Sequence, residues 1–180
     1  MLVKKAMKGH VDLLGPASEV QAELMGIPSF ETPDYSELFA EEKEMIGKLK
    51  KAFLMVAGGA VQKYGPDLDG HQQLLMAAAD ILIEICMAES TILRTEKLAK
   101  TKGEAAVKEQ IAMAQLYLYK AVDIITQKGK EGIVSFAEGD EQRMMLMGLR
   151  RYTKYTNMPN VIGLREIITS KLVAENAYCF

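Results

Sequence analysis

The sequence predicts an all-α protein, an antiparallel up-down four-helix bundle with short flanking helices. Several observations carry that prediction. The stretch from Asp69 to Thr101, DGHQQLLMAAADILIEICMAESTILRTEKLAKT, holds no proline and no glycine after Gly70. Within it Leu74, Ala78, Ile81, Leu82, Ile85, Ala88, Ile92 and Thr95 recur at three- and four-residue steps, the spacing of one helical face. Met76, Ala79, Ile83, Cys86 and Ser90 add an apolar or small-residue flank, so more than half the circumference is expected to avoid water, as in a helix with neighbours on several sides. Three further long stretches share the helical period, glycine- and proline-bearing turns separate them, and no segment alternates with period two.

Taken in order, residues 1–14 carry Leu2, Val3, Ala6, Met7, Val11 and Leu14 between lysines and suit a short helix. Gly15-Pro16 stops it, and Pro16 suits the first position of a second helix through Met25. Gly26 to Asp34 is a loop, so residues 1–34 read as a connector and residues 35–180 as the bundle domain. Asp34 and Glu37 are spaced as a capping pair for a helix to Tyr64 on Leu38, Met45, Leu49, Phe53, Val56, Ala60 and Tyr64. Gly58-Gly59 in its middle costs roughly 1 kcal/mol per glycine in an exposed helix, a cost that close approach of another element offsets.

Gly65-Pro66 ends that helix, Asp69 and Gln72 are spaced to cap the central one, and Thr101 to Glu104 is both a stop and a new capping box. A third long helix follows from Glu104 to about Gln127 on Val107, Ile111, Ala114, Leu118, Ala121, Val122 and Ile125; Gly129 and Gly132 weaken its continuation, while Ile133, Val134 and Phe136 offer to prolong its apolar face. Asp140 opens a fourth through Tyr155 on Met144, Met147, Leu149 and Tyr152. Beyond the break at Asn157-Met158-Pro159-Asn160, a last helix from Val161 to about Ala174 turns Ile162, Leu164, Ile167, Ile168 and Leu172 inward.

Composition narrows the function classes. Hydrophobic residues are 49% and charged residues 26% of 180, which suits one globular domain with a sizeable core. A net charge of −2 exerts no overall pull on nucleic acid or anionic lipid. Locally, Glu19 to Glu44 holds eight acids against one lysine and Arg143 to Lys171 six bases against one acid, which reads as two solvated or mutually attracting surfaces. Two cysteines, Cys86 and Cys179, make no disulfide framework, and a reduced, cytoplasmic setting is expected. No apolar run reaches the ~20 residues of a bilayer span, and the N-terminus lacks a signal-peptide pattern.

Candidate chemistry is sparse. Asp80 and Glu84 stand four residues apart, but a di-metal centre in a bundle adds Glu-x-x-His steps, and neither His10 nor His71 has a glutamate three residues before it. A polar seam paired to lysine or arginine of a neighbouring helix is the expected role. Ser90 and Ser135 have no histidine nearby in sequence, and Cys179 at the penultimate position has no activating base. Arg143, Arg150, Arg151 and Lys154 lie on one helix without interleaved aromatic residues, so a salt-bridging face is expected rather than nucleic-acid contact. No catalytic, cofactor-binding or metal residue is assigned.

The segments KKAFLMVAGGAVQKYG (50–65), ADILIEICMAESTILRTEKLA (79–99), GDEQRMMLMGLRRYTKYT (139–156) and REIITSKLVAENAYCF (165–180) resemble, in order, the C-terminal region of bacterial acyl-CoA dehydrogenases of the very-long-chain type. AMKGHVDLLGPASEVQAELM (6–25) is similar to the connector before that region. The resemblance implies a parent enzyme of fatty acid β-oxidation, in which a glutamate takes the α proton, FAD takes the hydride, and electrons pass to electron-transfer flavoprotein. It implies too that flavin pocket and base lie upstream of this region. The chain alone is thus expected to bind no cofactor and to be inactive, with the catalytic domains of the same enzyme as partner and a homo-oligomer as a further option. The alternative is a docking module for protein or membrane. Asp12, Glu19 and Glu23 beside Lys4, Lys5 and Lys8 make the expected lipid affinity weak.

Overall fold

The computed structural model describes residues 13–26 and 35–178. Among them run six α-helices: α1 (Leu14–Met25), α2 (Ala40–Tyr64), α3 (Gln72–Lys102), α4 (Lys108–Phe136), α5 (Gly139–Tyr152) and α6 (Val161–Glu175). Short 3-10 turns at Gly65–Gly70 and Glu104–Val107 join α2 to α3 and α3 to α4, and no strand occurs among the described residues. The expected helix over residues 1–14 falls almost wholly outside the described residues, as do Asp34, His10 and Cys179.

Side-chain pairs give the helix directions. Lys43 meets Glu96 at 2.9 Å and Lys50 meets Glu89 at 2.6 Å, so α2 and α3 are antiparallel. Glu84 with Tyr117 and Asp80 with Lys128 set α3 antiparallel to α4. Gly59 lies under Met145 and Gly148 under Met55, which makes α2 and α5 antiparallel as well. The helices α2, α3, α4 and α5 therefore alternate in direction. α2 and α4 touch across the middle, while α3 and α5 flank that pair and make little contact with each other.

The core follows from this order. Leu49 and Val56 of α2, Ile81 and Ile92 of α3, and Ala121, Ile125 and Ile133 of α4 are fully buried. α1 closes the seam between α2 and α5 with Leu13, Ala17 and Val20, and Leu24 lies against Gly148. Gly58-Gly59 works as the sequence suggests. A Cβ on Gly58 would stand 2.4 Å from the Ala17 Cβ, and one on Gly59 would strike Met145 and Phe136 at 2.9 Å.

Five expectations are corrected. α4 does not end near Gln127 but runs to Phe136, because Gly129 and Gly132 let Leu149 and Val56 lie against its backbone. α5 ends at Tyr152, and it buries Met145, Gly148, Leu149 and Tyr152 while Met147 faces out. The side-chain caps differ: α2 starts at Ala40 behind a left-handed Phe39, α3 behind His71, and Thr101 lies inside α3 donating to the Lys97 carbonyl. Asp140 sits in the first turn of α5 and accepts from Arg143, whereas Asn160 caps α6 by accepting from the Gly163 amide. α6 forms, but none of its residues is buried.

The fifth correction concerns α3, which is not covered over most of its surface. It packs on α4 and α2, and its flank of Met76, Ala79, Ile83, Cys86 and Ser90 faces outward. A bundle of four gives an outer helix only two flanks of cover.

Candidate functional site

Asp80 and Glu84 leave α3 toward α4, where each finds its own partner. The Asp80 Oδ2 lies 3.8 Å from the Lys128 Nζ, which Glu131 approaches more closely at 3.0 Å. The hydrogen bond to Glu131, helped by Asp80, raises the Lys128 ammonium above its ordinary value. Glu84 accepts from the Tyr117 hydroxyl at 2.9 Å, and burial together with that carboxylate pushes the phenol up to about 12. The expected lysine partner is present for Asp80; for Glu84 it is a tyrosine. Both carboxylates thus lie in a polar seam of interhelical contacts between α3 and α4.

The remaining candidates do not converge. His71 stacks on Tyr64 with ring centroids 3.6 Å apart at the α2–α3 turn. Ser135 donates to the Gly132 carbonyl at 2.6 Å inside α4, and Ser90 is exposed on α3. Cys86 is a free, exposed thiol. Arg143 pairs with Asp140 at 3.1 Å, Arg150 and Lys154 are exposed and Arg151 is half-buried. Among the described residues, no three His, Cys, Asp or Glu side chains gather as metal ligands would. No helix is long and apolar enough to cross a membrane among them. Glu41 accepts from the backbone and side-chain amides of Asn157, and Lys48 reaches Thr156, so these contacts between the α2 start and the α5–α6 connection are to neutral groups and not between opposite charges.

Sequence reasoning missed Glu109. It is a buried carboxylate, 6% exposed, in the first turn of α4, with Lys108 at 3.9 Å and Lys171 of α6 at 3.7 Å. Both lysines and Glu109 line an open groove of about 1020 Å³ between α4 and α6, with Asn160, Glu166 and Ile167 on the far wall. The mixed charge and open shape make this a surface groove between α4 and α6 rather than an enclosed pocket. Only its position among helix-start residues marks Glu109 in the sequence, and that signal is shared by many surface glutamates.

Likeness to known proteins decides the family. A model described as the acyl-CoA dehydrogenase C-terminal domain matches residues 48–151, more than half of the chain. The chain belongs to that family. A probable acyl-CoA dehydrogenase of Bacillus subtilis (strain 168) is 36% identical over 173 residues, covering 96% of this chain but 29% of the relative. The crystal structure of an acyl-CoA dehydrogenase complexed with FAD from Bacillus anthracis superposes with a TM-score of 0.89 at 37% identity. That match covers 99% of this chain and 30% of the other. The chain thus spans less than a third of the length of the relatives it matches, and within them it corresponds to an all-α, C-terminal part.

Proposed function

We propose that this acyl-CoA dehydrogenase C-terminal domain is a non-catalytic scaffold, packing against the catalytic domains of an FAD-dependent enzyme of fatty acid β-oxidation and supporting its assembly. The observation that carries the reading is the one-sided coverage: almost all of this chain matches less than a third of each relative. The chemistry of the domain's carboxylates agrees with it. Dehydrogenation of an acyl-CoA needs a carboxylate free to take the α proton beside a flavin that takes the hydride. Here Asp80, Glu84 and Glu109 each face a lysine or tyrosine in a structural contact. Residues 1–34 serve as the connector to the catalytic part, the whole enzyme works in the cytoplasm, and its flavin is reoxidised by electron-transfer flavoprotein.

Purified 180-residue chain should be colourless and should reduce no electron acceptor with acyl-CoA of any length. Stoichiometric flavin on the purified chain, or turnover, overturns the reading.

A further inference from the structure

The solvent-facing side of α3 is unusual for an outer helix. Met76, Ile83, Met87 and Leu93 are 61, 56, 51 and 53% exposed. Ala79, Cys86 and Ser90 are exposed on the same face, at steps of three and four. Between Gln72 and Leu93 the helix has three charged residues, and all three leave by its flanks: Asp80 to Lys128, Glu84 to Tyr117 and Glu89 to Lys50. The outward face therefore carries little charge for about 26 Å, at 1.5 Å per residue, with the half-exposed Asp80 at its edge. An exposed helix normally puts its charges on that face.

We propose that this face of α3, from Met76 to Leu93, is where the remainder of the parent polypeptide seats on the domain. This rests on the scaffold reading above. Two arguments select the occupant. The relatives carry more than twice as much chain again beyond the part matched here, so a covering body accompanies such a domain in each of them. Size points the same way. A strip about 26 Å long and about 10 Å wide offers a few hundred Å², below the ~800 Å² per partner of stable association between separate chains. Two such strips brought together by a second copy fall short. A covalently linked body arrives at roughly millimolar effective concentration and extends the contact beyond α3. The scarcity of charge disfavours nucleic acid and anionic surfaces, which need cations at the contact.

Cys86 lies mid-strip and reports on the cover. The test compares alkylation of Cys86, located by peptide mass, in this chain alone and in a chimera where it replaces the matched part of the Bacillus subtilis relative. Alkylation is expected to be about 100-fold slower in the chimera and, in the free chain, independent of protein concentration. Ile83→Asp with Leu93→Asp should restore reactivity in the chimera while leaving the free chain's melting temperature unchanged; Val134→Asp, at an exposed position on α4, is the control. A chimera that folds and holds flavin but leaves Cys86 reactive overturns the assigned face and spares the scaffold reading. A chimera that neither holds flavin nor protects Cys86 counts against both. Concentration-dependent protection in the free chain, abolished by the double variant, assigns the face to a second copy instead.

Discussion

α2 and α6 are both apolar helices, yet α2 buries twelve of its residues and α6 none. α2 has α1, α3, α4 and α5 around it; α6 leans chiefly on α4. An apolar sequence states that a helix needs cover. It does not state that its own chain supplies the cover, and Ile162 and Val173 at 69 and 80% exposure are the result. The difference separates a self-sufficient core from a helix that packs chiefly on one neighbour and leaves the rest of its surface open.

The largest expected effect tests the buried side. Leu49→Ala removes a fully buried side chain from α2 and should cost about 2–5 kcal/mol, read by calorimetry as a large fall in melting temperature. Ile162→Ala should stay within about 0.5 kcal/mol. Equal losses would erase the distinction. Next, Lys171→Ala leaves the buried Glu109 short of a cation and should weaken α6 docking by about 1–3 kcal/mol. Hydrogen exchange would show the loss as faster exchange over 161–175 with α2 unchanged. Asn160→Ala, deleting the α6 cap, should cost about 1 kcal/mol, again confined to α6 amides.

The smallest effect is a pH dependence at the α2–α3 contact. Hydrogen bonds from Lys43 and Lys100 hold the Glu96 carboxyl below its ordinary 4.5. The folded chain then takes up this proton less readily than the unfolded chain. Its contribution is full above about pH 4.5 and is lost as pH falls through the lower folded value. Both lysines are well exposed, so the amount is under about 1 kcal/mol. Between about pH 6 and pH 3, the melting temperature of Glu96→Gln should fall less steeply than that of the native chain.

Much of the core was legible from period alone. Met45, Leu49, Phe53 and Val56 in α2, and Ala114, Leu118, Val122 and Ile125 in α4, are buried as their spacing indicated. The ordered likeness of helices also led to the family before any fold was known. What failed was physically of another kind. Capping spacings recur by chance, and α2 is entered through a left-handed Phe39 with no side-chain cap. Gly129 and Gly132 read as weakening the helix, but a glycine under a neighbour's side chain sustains it through the contact it permits. Met76 and Ile83 share the hydropathy of Leu74 and Ile81, so spacing cannot say which of two apolar faces stays open. The Glu109–Lys171 contact spans 62 positions and carries no local signature.

α3 and α4 share the most extensive helix–helix packing in the molecule and are neighbours along the chain, joined only by Gly103 and one 3-10 turn. Closing that hairpin costs little loop entropy, since the ends to be joined are already near. Folding is expected to nucleate there and then recruit α2 and α5. The same hairpin carries the open strip at its back, so the surface meant for another body is among the first to take shape, ready as a template before the rest of the chain has condensed.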